Sequence, residues 1–102
     1  MIVAISRIRI TSGNADAVAA QYQQRSQLVE QAPGFLGLEI LRGQDQPDEF
    51  MVCMRWVDRA AFEAYRSSPQ FRQAHQNIRT IPGHTHIDRA TYAVGVFDVI
   101  AH

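Results

Sequence analysis

A chain of 102 residues, 46% of them hydrophobic, is long enough to bury one core and too short for two, so a single domain over residues 1–102 is expected. Ten basic residues, all Arg, balance ten acidic ones, which excludes the bulk attraction of nucleic-acid and anionic-membrane binders and leaves a small hydrophobic or planar ligand as the expected partner. The lone Cys53 excludes an internal disulfide; with no apolar run of membrane-spanning length and no signal-peptide pattern, the expected compartment is the cytoplasm.

Residues 2–11 read as a strand with Ile2, Ala4, Ser6, Ile8 and Ile10 on one face and Val3, Ile5, Arg7 and Arg9 on the other. Ser6 is the one polar member of the apolar face, and on the residues alone it is a small hydroxyl bonded to backbone or water. Ser12 or Asn14 can cap the element that follows. There Ala15, Val18, Tyr22, Val29 and Ala32 recur at helical spacing, which predicts a helix over 15–32 stopped by Pro33-Gly34. Arg25 falls in or beside that stripe. Tyr22 is either core or, with Arg25, part of the wall of a ligand cavity.

Residues 35–41 and 49–56 form two strands joined by the polar, turn-rich 42–48, an antiparallel hairpin. In the first, Leu36, Leu38 and Ile40 oppose Phe35 and Leu41; in the second, Phe50, Val52, Met54 and Trp56 oppose Met51 and Cys53. A sheet wet on one side would alternate cleanly, so these two apolar faces both call for a cover. Cys53 reads as a small buried thiol within the run.

From Trp56 to His75 the chain ends a strand, builds a helix with Phe62 and Tyr65 on one face, breaks near Pro69, and starts a second helix. There Phe71, Ala74 and His75 stand at i, i+3 and i+4. His75 therefore rides an apolar stripe, either as a core imidazole or as a ligand held for a metal centre. Residues 76–89 read as a long loop and 90–100 as a last strand. The order is β-α-β-β-α-β, an α+β, ferredoxin-like arrangement with an antiparallel sheet and both helices on one face. Those helices cannot also cover the opposite face. A second copy packed sheet to sheet can, which predicts a homodimer with two-fold symmetry.

No internal repeat, Gly-rich phosphate loop, paired-cysteine knuckle or nucleophile elbow is present. Three constellations remain. Ser6, Tyr22, Arg25, Phe62, Tyr65 and His75 can bound a pocket between helices and sheet, with a flat hydrophobic ligand lying between Ser6 and His75. His84 and His86 would project to one side of an extended backbone, but they supply two ligands where zinc takes three or four. Glu30 and Asp58 have no spacing that argues for a general base and read as solvated helix charges.

The ordered segments Pro33-Gly-Phe-Leu-Gly-Leu-Glu-Ile-Leu-Arg42, Phe50-Met-Val-Cys-Met-Arg-Trp56, Ala61-Phe-Glu-Ala-Tyr65, Ser68-Pro-Gln-Phe71 and Ala74-His75 resemble the antibiotic biosynthesis monooxygenase superfamily. Within it, the likeness is greatest to haem-degrading monooxygenases of the iron-regulated surface determinant type. The resemblance spans nearly the whole chain and implies a dimeric α+β barrel that opens haem with oxygen and an external reductant, haem being both substrate and cofactor. The haem branch carries an asparagine on the first strand, a tryptophan on the second helix and a histidine ten residues after it. This chain keeps the histidine as His75, the implied axial ligand of haem iron, while Ser6 stands for the asparagine and Tyr65 for the tryptophan.

The resemblance makes Ser6, Tyr65 and His75 the implied catalytic set, with Tyr22, Arg25, Phe62, Phe71 and Arg79 around the cofactor. Arg25, Arg72 or Arg79 would answer its propionates. The departures at Ser6 and Tyr65 support haem binding better than haem cleavage. An alternative within the superfamily is a monooxygenase of quinols or polyphenols that needs no cofactor, in which His75 or Tyr65 assists proton removal. A third reading, from a different class, is a non-catalytic ligand-binding dimer with His75 in its core.

Overall fold

Strands β1 (Ile2–Arg9), β2 (Phe35–Arg42), β3 (Glu49–Trp56) and β4 (Ala93–Asp98) form one antiparallel sheet in the order β2-β3-β1-β4. The computed structural model describes residues 1–10, 13–24, 29–73 and 93–102. Helix α1 (Ala15–Gln23) follows β1, and helix α2 (Arg59–Arg66) follows β3. The fold is α+β and ferredoxin-like, as the order of elements predicts. β1 is central, with Ile2 paired to Trp56 and Asp98, and Ser6 paired to Val52 and Val94.

The even positions of β1 face the helices, and they divide the core into two lobes. Ile8 and Ile10 pack with Phe50 and with Val18 and Tyr22 of α1, while Ile2 and Ala4 pack with Trp56 and with Phe62 and Tyr65 of α2. Each large side chain so buried stabilises the fold by about 1.5–3 kcal/mol relative to exposure. Helix α2 begins where the Asp58 carboxylate accepts the Ala61 N–H at 2.8 Å, so Asp58 caps a helix. Across the sheet edge, Arg42 ties β2 to α1 through Asp16 at 2.7 Å and lies over the Phe50 ring.

Two expectations are corrected. The helix predicted over 15–32 ends as an α-helix at Gln23, and Val29–Gln31 form a 3-10 turn. Val18 and Tyr22 serve the α1 lobe, whereas Val29 and Ala32 pack in the α2 lobe, which a single straight stripe could not do. Leu36, expected beside Leu38 and Ile40, is instead half exposed. A β-bulge between Phe35 and Gly37 shifts the register, so Phe35 pairs with Trp56 and enters the core in its place. The predicted loop 76–89 and the first residues of the predicted last strand lie outside the described residues.

The face away from the helices carries Val3, Ile5, Leu41, Met51, Cys53 and Phe97 by strand alternation. Leu41 and Phe97 are exposed, while Arg55 pairs with Glu39 at 2.6 Å and Arg7 with Glu49 on the same face. Cys53 is buried, and burial pushes its thiol pKa up. Among the described residues, no helix is long and apolar enough to cross a membrane.

Gly34 joins the 3-10 turn to β2 in the left-handed region, with φ +83°, and its C=O accepts the Val57 N–H at 2.9 Å. A Cβ there would stand 2.6 Å from Ala61 Cβ and 2.9 Å from Val57 Cγ2. Gly34→Ala therefore combines an unfavourable backbone with a clash against α2 and is expected to cost about 2 kcal/mol or more in urea unfolding. A loss below about 0.5 kcal/mol would show that α2 shifts freely away from the turn.

Candidate functional site

Ser6 sits midway along β1, on the helix side, between the residues that feed the two lobes. Its cross-strand partners Val52 and Val94 point the same way. Among the described residues, neither valine belongs to either lobe. Val94 is 46% exposed, and Ser6 and Val52 are half-buried. The covered face of the sheet is interrupted along the row Val52, Ser6, Val94, an apolar strip with one hydroxyl at its centre.

Each side of the strip is a packed aromatic wall. On the α1 side the Tyr22 ring tilts against Phe50 with centroids 5.7 Å apart, and both residues are buried. On the α2 side Trp56, with no exposed surface, meets Tyr65 at 5.3 Å, Phe35 at 5.4 Å and Phe62 at 6.0 Å. Tyr65 in turn meets Phe71 edge-on at 5.4 Å. Such ring pairs each contribute about 0.5–1.5 kcal/mol beyond their buried area.

The structure brings Phe62, Tyr65 and Phe71 together through Trp56, leaves Tyr22 in the other lobe, and sets Ser6 between the two. Phe62 is 3% exposed and covered by the Arg66 guanidinium, so it supports the wall from within. Tyr65 also reaches a cavity of about 340 Å³ between Pro33-Gly34 and α2, which Ala61 and Ser68 help to line and Ser6 does not. Arg72 is exposed. Arg25, His75, Arg79, His84 and His86 lie outside the described residues.

Sequence reasoning missed the part Trp56 plays. The available signal was a lone tryptophan closing the apolar face of β3, and packing makes it the hub of the α2 lobe. Among the described residues its buried Nε1–H has no hydrogen-bond partner, so the indole is held by ring contacts at the cost of a desolvated donor. Among the described residues, no group of three His, Cys, Asp or Glu side chains is placed to hold a metal ion.

The family profile of antibiotic biosynthesis monooxygenases matches residues 1–77, three quarters of the chain. The chain belongs to the antibiotic biosynthesis monooxygenase family. A haem-degrading monooxygenase of Bacillus thuringiensis subsp. konkukian is 33% identical to it over 94 residues, which cover 90% of this chain and 87% of that one. MhuD, a haem degrader from Mycobacterium tuberculosis solved with two haems bound in its active site, superposes with a TM-score of 0.78 at 25% identity, covering all of this chain and 98% of that one. SnoaB, a cofactor-independent oxygenase from Streptomyces nogalater, gives 0.74 at 17% identity over 99% and 94%, a likeness of fold alone. One family fold therefore serves proteins with and without haem.

In this antibiotic biosynthesis monooxygenase family member, the interrupted strip makes Ser6 a position where stability and site chemistry separate. Ser6→Val adds apolar surface between Val52 and Val94 and is expected to leave the fold as stable or to gain up to about 1 kcal/mol in urea unfolding. A loss above about 1 kcal/mol would show that the hydroxyl is a structural hydrogen-bonding group.

Proposed function

We propose that the protein is a monooxygenase that binds haem as its substrate in the strip between the two lobes and oxidises it with oxygen and an external reductant. The observation that carries this reading is the interruption of an otherwise packed helix-facing sheet at Ser6, Val52 and Val94. It occurs in a chain 33% identical to a haem-degrading monooxygenase over 90% of its length.

The residues present suit a macrocycle in three respects. The strip is apolar and flanked by two aromatic lobes, a setting suited to a flat hydrophobic face. Ser6 puts a single hydrogen-bond donor at its centre. Arg72, exposed beyond Phe71, carries a guanidinium suited to a propionate, as do Arg25 and Arg79 on the sequence reading. His75 is assigned the iron on its sequence position, since a neutral imidazole is a good haem ligand.

Bound haem supplies the iron that takes up oxygen and the carbon skeleton that is oxidised. The chain supplies placement. Its Ser6 hydroxyl would offer a donor to the bound ligand, its two aromatic lobes would flank it, and Tyr65 is held between Trp56 and Phe71. At 7% exposure, Tyr65 offers the macrocycle an edge and no broad face, so strong distortion of the ring is not its contribution.

The replacement of asparagine by Ser6 and of tryptophan by Tyr65 favours a second reading. In it the same strip holds an electron-rich quinol or polyphenol that reacts with oxygen directly, with His75 or Tyr65 taking the proton. In both readings the protein acts as a homodimer. The exposed Leu41 and Phe97, continuous with Ile5, Met51 and the buried Cys53, give the second face of the sheet the apolar character that a two-fold sheet-to-sheet contact needs.

Titration of the purified protein with haemin is expected to give a Soret band that His75→Ala weakens, and loss of that band on adding ascorbate in air marks haem oxidation. An identical band in His75→Ala removes the ligand assignment. Oxygen uptake with quinols but no haemin binding selects the second reading. Sedimentation at micromolar concentration is expected to give twice the 11.5 kDa chain mass, and a single 11.5 kDa species overturns the dimer.

A further inference from the structure

We propose that Ser68 is a positioning residue: it sets the angle between α2 and the helical segment that follows, and with it the placement of Phe71 and of the chain leading to His75. The proposal rests on the haem reading above.

One hydroxyl makes two bonds in opposite directions. Ser68 Oγ donates to the C=O of Tyr65, in the last turn of α2, at 2.6 Å, and accepts the N–H of Phe71 at 3.2 Å, in the first turn of helical residues 69–73. The backbone of the same residue repeats the pattern. Its N–H donates to the Tyr65 C=O at 2.9 Å, and its C=O accepts the Arg72 N–H at 3.4 Å. Ser68 closes one helix and caps the next, satisfying groups that both termini would otherwise leave unpaired.

The neighbouring residues force a break here and leave its geometry to the hydroxyl. Pro69 disfavours the helical conformation at Ser68, yet as the first residue of the next helix it sacrifices no bond. The Ser68 donor is spent on Tyr65 and one lone pair on Phe71, and the residue is half-buried, so its chemistry is directed at the chain and not at a ligand. Tyr65 and Phe71, at the two ends of this link, hold their rings edge-on at 5.4 Å. Rotation at the break would part those rings and move helical residues 69–73, which lead in sequence to His75. Precise placement of a ligating side chain depends on such supporting bonds.

The test compares haemin affinity, Soret position and thermal midpoint in the wild type, Ser68→Ala, Ser68→Thr, Ser68→Asp and His75→Ala. Ser68→Thr retains both bonds and is expected to match the wild type. Ser68→Ala loses both and is expected to bind haemin about five- to tenfold more weakly, with a Soret band displaced toward that of His75→Ala. Ser68→Asp still accepts from Phe71 but cannot donate to Tyr65, so its affinity is expected to fall between. A Ser68→Ala protein with a lower thermal midpoint but wild-type haemin affinity and Soret position overturns the proposal, as does failure of Ser68→Thr to restore both. If Ser68→Ala does not fold, indistinguishable haemin binding by the Thr and Asp variants overturns it. No Soret band on adding haemin to the wild type removes the haem reading; a band that His75→Ala leaves unaltered removes the ligand assignment and this proposal with it; a band that His75→Ala weakens and Ser68→Ala does not removes this proposal alone.

Discussion

The packing of Trp56 is the constraint on which the α2 half of the molecule depends. An indole with no exposed surface touches Phe35 from the bulged start of β2 and Phe62 and Tyr65 from α2, and it pairs in the sheet with Ile2. Four elements meet on one ring. Interiors packed to crystal density do not deform gradually, so the position of Tyr65 is set by the sheet through this ring and only secondarily by the helix that carries it. The Nε1–H, unpartnered among the described residues, fits that account, because the indole is held by ring contacts.

A sheet face covered by two separate lobes has a physical consequence at their seam. Burying the row Val52, Ser6, Val94 would add apolar area at roughly 25 cal/mol per Å², and the chain forgoes it among the described residues. Each lobe has its own anchor, the Arg42–Asp16 ion pair for α1 and the Asp58 cap for α2. Among the described residues, an apolar row outside both lobes beside a hydroxyl is a local inconsistency of the kind that accompanies function.

Much of this was legible in the sequence because period and parity are direct physical signals. Alternation in β1 and β3 put Ser6 on the helix side, and three-residue spacing put Phe62 and Tyr65 on one face of α2. Parity failed at Leu36, since a bulge inserts one residue without a composition signal strong enough to announce it. Periodicity failed after Gln23, where Val29 and Ala32 kept the spacing of a helix while packing against the other lobe. The hub at Trp56 was illegible for a different reason. Which rings converge on one indole depends on the pairing of distant strands, and no local pattern records it.

The two departures from the haem branch differ physically. Tyr65 is narrower than an indole, but it is clamped between Trp56 and Phe71, and the Ser68 hydroxyl links its C=O to the Phe71 N–H. Its position is therefore fixed by contacts with both rings and along the backbone, and what changes is its width. Ser6 has no such compensation. A hydroxyl one bond from Cβ reaches less far than a carboxamide, and the central strand that carries it is held by hydrogen-bonded neighbours on both sides, so the donor cannot advance by moving its backbone. A strand so fixed concentrates the functional difference on donor reach.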